Sequence, residues 1–117
     1  MKEIILQTKS EEFAIRIIKL AEFLENKKQK ILANQILRCG TSIGANIAES
    51  LYAASGADFA NKLHIAQKEA SETKYWLKLL FATKQIEENL YNSFDNSVTE
   101  LLRMLGSNIK TMKNNLP

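Results

Sequence analysis

One proline among 117 residues, at position 117 itself, constrains this chain more than any other feature. Proline removes a helix hydrogen bond and clashes with the preceding turn, and each glycine costs a helix interior roughly 1 kcal/mol relative to alanine. The chain holds four glycines, Gly40, Gly44, Gly56 and Gly106. Over long stretches, then, nothing in the backbone stops a helix. Hydrophobic residues make up 45% and charged residues 25%, the balance of a globular domain with one core.

The apolar spacing divides the chain into four amphipathic runs. In "SEEFAIRIIKLAEFLENKK", Phe13, Ile17, Leu20, Ala21 and Leu24 share one helical face. Thr8 or Ser10 is expected to cap it, with Glu11 and Glu12 in its first turn. "ENKKQK" (25–30) is a polar connection. The second run buries Leu32, Ile36, Ile43, Ile47 and Leu51 and is expected to stop at Gly56, with Asp58 capping the next. The third places Phe59, Leu63, Ala66, Ala70, Leu77 and Phe81 on one stripe. The fourth does the same with Leu90, Phe94, Val98, Leu101, Leu105, Ile109 and Met112. "EIIL" (3–6) is too short to read as a strand. The expected helices, about 9–27, 31–54, 58–84 and 87–114, make a single domain over 1–117. Its fold class is all-α, an antiparallel up-and-down four-helix bundle.

No stretch approaches the ~20 apolar residues of a membrane span, and the start lacks the apolar region of a secretory signal. The single Cys39 excludes an intrachain disulfide. The expectation from these features is a cytoplasmic protein, away from membranes. A formal net charge of +3 permits nucleic-acid contact without demanding it.

"RCGTSIGANIAES" (38–50) resembles a glycine-rich phosphate loop at first sight. A P-loop needs GxxxxGK[ST] after a strand, and a dinucleotide fingerprint needs GxGxxG after a strand. Neither spacing is present, and the stretch lies inside a helical pattern. Gly40, Gly44 and Ala48 recur every four residues, so the expectation is a thin helix face for close helix packing.

The third run leaves Ile65, Trp76 and Leu79 off its core stripe, among Glu69 and Glu72. The second likewise leaves Arg38, Ser42, Ala45 and Glu49. Either the core stripe is wider than drawn, or the "EIIL" segment half covers Trp76, or this face meets another subunit. We adopt the third expectation: an oligomer interface or polar network built from Arg38, Ala45, Asn46, Glu49, Glu69, Glu72, Trp76 and Leu79. Arg38 should meet a carboxylate from the third helix or a neighbour, and Glu49 a partner off its own helix.

Catalytic patterns are scarce. A di-iron bundle needs paired Glu-x-x-His motifs, yet the one histidine, His64, follows Asn61 by three. One His and one Cys do not suffice for a zinc site without several carboxylates. Ser42, Ser50 and Ser71 have no neighbouring histidine as base. Glu49 and Glu72 could act as an acid/base pair, but structural ion pairing is the expected role. No cofactor, no metal and no catalytic residue is indicated. On the third helix His64, Lys68, Tyr75 and Lys78 share a sector away from the core. Such a line can track a phosphate backbone with an aromatic face beside it, or be an ordinary solvated surface.

With these residues in view, the chain resembles the four-helix 23S rRNA intervening-sequence proteins, often labelled a ribosomal-protein family. The resemblance runs from "FAIRIIKLAEFL" (13–24) to "ELLRMLGSNIKTMK" (100–113). It is most specific in "RCGTSIGANIAES", with Asn46 to Glu49, and in "DFANKLHIAQKEASETKYWLKLL" (58–80), with Lys68 to Ala70, Glu72 to Thr73 and Tyr75 to Leu77. Ser50 departs from the glycine that many members carry, which would lengthen the second helix by a turn. The resemblance implies a ring-shaped homopentamer of bundles, and it implies no particular enzymatic activity. Members are encoded within insertions in bacterial 23S rRNA genes and elsewhere. The chain is also similar to accessory proteins of diversity-generating retroelements, basic pentamers that bind nucleic acid and a reverse transcriptase. The expectation is therefore a non-enzymatic homo-oligomer, a pentamer, that binds structured RNA or DNA; the alternative is a protein-interaction scaffold without nucleic acid.

Overall fold

The computed structural model describes residues 2–115, which form four helices: α1 (Lys2–Asn26), α2 (Lys30–Ser50), α3 (Gly56–Ala82) and α4 (Glu88–Asn115). Each packs antiparallel to its neighbours. Along α1 and α2, Ile17 lies by Gly40 and Ser10 by Gly44; along α2 and α3, Arg38 pairs with Glu72 and Glu49 with Lys62. Lys74 meets Asp95 across α3 and α4, and Lys9 meets Glu100 across α1 and α4. Three of these seams are close, whereas α1 touches α4 sparingly. The fold is the antiparallel four-helix bundle that the periodicity implies.

The core explains why. Leu6, Ser10, Phe13, Ile17, Leu20 and Leu24 are buried along α1, and Leu63, Ala66, Ala70, Thr73, Leu77 and Leu80 along α3. Both sets step by alternating threes and fours. That seven-residue repeat keeps one stripe facing the bundle axis along a long helix. The expected stripe, stepping by four at its end, ran off this seam. Phe81 and Leu90 stand 37% and 38% exposed, and Leu80 is buried where Phe81 was expected. Phe81 instead stacks on Tyr91, with centroids 4.7 Å apart and planes 7° from parallel. Leu51 is also exposed, whereas Leu32 and Phe59 pack partly buried against the core.

Three helix boundaries differ from expectation. α1 begins at Lys2, so "EIIL" is helical, and Ser10 is an interior residue whose hydroxyl donates to the Gln7 carbonyl at 2.9 Å. α2 ends at Ser50, four residues early, so Ser50 does not lengthen it. Short i to i−3 bonds from Leu51, Tyr52 and Ala53 unwind its last turn. Gly56 opens α3 rather than stopping α2. Its cap is Ser55, whose hydroxyl accepts from the Asp58 N–H at 3.1 Å, while the Asp58 carboxylate accepts from the Ala54 N–H at 3.1 Å. This is the reciprocal logic of a capping box.

The α1–α2 and α3–α4 turns share one construction. The Gln29 N–H donates to the Leu24 carbonyl and that of Lys28 to Glu25; Gln85 donates to Leu80 and Lys84 to Phe81. Both are Schellman ends, and each holds a lysine where glycine is usual: Lys28 at φ 64° and Lys84 at φ 61°.

Candidate functional site

The α2–α3 seam carries the polar network. Arg38 lies across from α3, where it pairs with Glu72 and approaches Glu69 at 3.5 Å. It also donates to the Gln35 side chain at 3.4 Å. Glu72 accepts a second bond, from the Trp76 indole N–H at 3.1 Å. Glu69 is different: its Oε2 is shielded from water and, among the described residues, accepts no hydrogen bond, with the Arg38 guanidinium as its ion-pair partner. Glu49 and Glu72 do not face one another. Glu49 sits one end of the seam away, 3.5 Å from Lys62. An acid/base pair of these two carboxylates is thereby ruled out within one chain.

The remaining seam residues are local. The Asn46 side chain donates to the Ser42 carbonyl at 2.8 Å and the Ser42 hydroxyl to the Arg38 carbonyl at 2.7 Å. Such bonds keep these polar groups on their own helix. Ala45 is exposed and Leu79 half-buried. Trp76 is half-buried and packs on the core edge, as a wider stripe would have it. "EIIL" does not cover it. Leu6 lines one small cavity with Ile47, Phe59 and Leu63, and Leu63 is thirteen residues or about 20 Å along α3 from Trp76. Behind this network Cys39 is fully buried, its thiol donating to the Ile36 carbonyl at 3.7 Å. Burial pushes its pKa up, the Glu72 and Glu69 charges add to this, and a Thr73 hydrogen bond and Arg38 oppose it.

The glycine face lies against α1. A Cβ on Gly40 would sit 2.7 Å from Ile17 Cγ2, and one on Gly44 would sit 3.4 Å from the Ser10 carbonyl oxygen. Ala48, next in the series, lines a shallow groove with Gln7, Glu11 and Ala14. The thin helix therefore accommodates another helix of the same bundle.

On the outer face of α3, His64 is half-buried and Lys68, Tyr75 and Lys78 are exposed. The four follow one face over fourteen residues, about 21 Å. Two other lysines of this helix, Lys62 and Lys74, pair with Glu49 and Asp95. Lys68 and Lys78 have no carboxylate within ion-pair distance among the described residues.

Sequence reasoning passed over Arg16. Its guanidinium lies 4.2 Å from the Phe94 ring centroid and donates to the Ser93 and Ser97 hydroxyls at 2.8 and 3.2 Å. The available signal was its place one step beside the buried Phe13, Ile17 and Leu20. Among the described residues there is no group of three or more potential metal ligands, and no helix is long and apolar enough to cross a membrane.

No curated protein matches the chain. Among solved structures it is similar to a protein of unknown function from the S23 ribosomal protein family of Bacteroides thetaiotaomicron. The two are 51% identical with a TM-score of 0.91, over 94% of this chain and 99% of that one. The sequence pattern described as 23S rRNA-intervening sequence protein matches over residues 2–107. That match spans nearly all of the four-helix bundle, including both the α2–α3 network and the α3 lysine face, and the chain belongs to the 23S rRNA-intervening sequence protein family.

Proposed function

We propose that this protein is a non-enzymatic, cytoplasmic homo-oligomer that binds structured RNA or DNA along the outer face of α3. The observation that carries the reading is the contrast among the α3 lysines. Lys62 and Lys74 are neutralised by carboxylates, while Lys68 and Lys78 remain available beside Tyr75 and His64. Unpaired cations on a rigid helix are what a phosphate backbone releases counterions to meet, and a tyrosine between them offers a base a stacking face. A pentameric ring, implied by the family resemblance, would repeat this face around its rim and multiply the +3 charge of each subunit. The carboxylates that could have served catalysis are engaged with Arg38 and Lys62 instead.

The test is salt-dependent binding of an RNA hairpin and a DNA duplex, with wild type and the Lys68→Glu/Lys78→Glu double variant. Wild type should lose affinity steeply with salt. The variant should bind more weakly and flatten the duplex slope by about 2, given a slope near 0.9 per phosphate contact. Absence of binding even at low salt would favour a protein-interaction scaffold, a reading for which the 78% and 90% exposed Ile31 and Tyr52 speak.

A further inference from the structure

The α1–α4 seam is the one that the bundle leaves loose, and it is not empty of chemistry. Between Leu20 and Phe23 on α1 and Leu90 and Phe94 on α4 runs an open, mostly apolar groove of about 270 Å³. Phe23 and Leu90 stand 47% and 38% exposed there. Arg16 and Lys19 edge it on the α1 side, and Lys27 lies 5.3 Å from the Phe23 ring centroid. Arg16 is held in place by two serine hydroxyls and the Phe94 face, and among the described residues no carboxylate lies within ion-pair distance of it. Toward the other end, where Glu12 and Glu100 line the next depression, Glu100 is committed to Lys9 at 3.0 Å and Arg103 at 3.8 Å.

We propose that this groove docks a short acidic segment of a partner protein, one that carries a large apolar side chain next to its carboxylates. The apolar floor takes the side chain, and Arg16 with Lys19 takes the carboxylate. Charge complementarity decides the sign of the occupant: the charged residues that line this groove, Arg16 and Lys19, are both cationic, and Glu87 and Glu88 stand only in the neighbouring depression beyond Leu90. The floor decides its class. Leu20 and Leu90 are aliphatic, Phe94 is buried with Arg16 4.2 Å from its ring centroid, and Phe23 has Lys27 5.3 Å from its own, which leaves a base little to stack on, whereas a leucine or phenylalanine side chain would cover the aliphatic floor. At about 270 Å³ the space falls just under the roughly 300–1,000 Å³ of small-molecule sites, which suits a side chain delivered by a peptide. Arg16 is already oriented by Ser93 and Ser97, so little side-chain freedom is lost when the carboxylate arrives.

The probe is a fluorescein-labelled peptide of sequence EDLFEDL, with EDAAEDA as a control of equal charge, followed by fluorescence polarisation on the full chain. EDLFEDL should bind saturably and EDAAEDA should not. Arg16→Gln should weaken binding roughly tenfold, the value of one charge-assisted hydrogen bond. Leu90→Lys, which keeps the edge cationic but wets the floor, should abolish it. Circular dichroism checks that both variants remain helical. Hydrogen exchange on wild type gives a readout independent of any variant: the peptide should slow exchange in residues 16–27 and 86–95. Equal binding of the two peptides, no binding of either, protection elsewhere, or displacement of the peptide by an RNA hairpin from this groove would each overturn the proposal.

Discussion

Gly40 and Ile17 meet so closely that α2 can carry no side chain at this point. A Cβ on Gly40 would lie 2.7 and 2.8 Å from two carbons of Ile17, which is itself fully buried. At Gly44 the nearest atom would be the Ser10 carbonyl oxygen at 3.4 Å, ordinary contact. Two glycines with the same apparent role in sequence thus have opposite expectations. Gly40→Ala should destabilise by the ~1–3 kcal/mol of overpacking, because a β-branched neighbour with no free space must shift. Gly44→Ala should be neutral or stabilising, gaining up to roughly 1 kcal/mol of helix propensity. Gly44→Leu, in contrast, drives its larger side chain toward the α1 backbone and should destabilise. Thermal unfolding of the three variants checks the ranking. Equal melting of Gly40→Ala and wild type would mean that the α1–α2 approach is looser than described.

Lys28 and Lys84 occupy left-handed backbone conformations at the two Schellman ends. A non-glycine residue there carries roughly 1–2 kcal/mol of strain, partly offset because glycine gives the unfolded chain more freedom. Lys28→Gly and Lys84→Gly should therefore each stabilise the fold by about 0.5–1 kcal/mol. Denaturant unfolding should show higher midpoints with an unchanged slope. A lower midpoint at Lys84 would show that its side chain contributes more than its backbone costs.

Periodicity carried most of the bundle. Phe13, Ile17, Leu20 and Leu24 on α1, and Phe94, Val98, Leu101 and Leu105 on α4, are buried as their spacing implies. Thr73 and Leu80 were hidden for separate reasons. Thr73 reads as polar, yet its hydroxyl is satisfied by the Glu69 carbonyl at 2.7 Å and its methyl enters the core. Leu80 and Phe81 are adjacent apolar residues, and only the seven-residue repeat chooses between them. Ser55 was passed over as a cap because Asp58 looks equally suitable; in fact the pair acts together. At the site, the Arg38–carboxylate contact was legible because an arginine and two glutamates share facing helix sectors. Arg16 was not, since its partners Ser93 and Ser97 lie far along the chain and carry no charge.

The buried thiol makes stability depend on alkaline pH in one direction. Folding raises the Cys39 pKa above its ordinary 9.0, chiefly through burial. The unfolded chain therefore releases this proton first as pH rises. Stability contributed by the neutral thiol is complete below pH 9 and declines as pH climbs from there toward the raised folded value. Wild type should lose more melting temperature between pH 8 and 10.5 than Cys39→Ala does, even if the variant starts lower because of its cavity. Parallel curves would show that the thiol is not held neutral.

Arg38 and Trp76 converge on Glu72, and that convergence separates a structural network from a subunit contact. Within one chain Arg38 is 53% exposed on its side chain, so its ion pairs should contribute ~1 kcal/mol or less to folding. In an assembly that covers this face, the same pairs would be desolvated. Removing one partner would then cost ~3–5 kcal/mol through the charge left behind, with Glu69 already lacking a hydrogen bond. Arg38→Ala and Trp76→Glu are therefore informative together. If Trp76, Leu79 and Ala45 lie between subunits, light scattering should give a multimeric wild type, a Trp76→Glu protein of lower mass with its helicity retained, and an Arg38→Ala protein with weakened assembly. If the network serves the single bundle, Arg38→Ala should shift melting slightly and leave mass unchanged, and Trp76→Glu should lower stability without changing mass. A monomeric wild type at micromolar concentration would remove both the interface and the pentamer from the proposed function, leaving the α3 lysine face to be judged on its salt dependence alone.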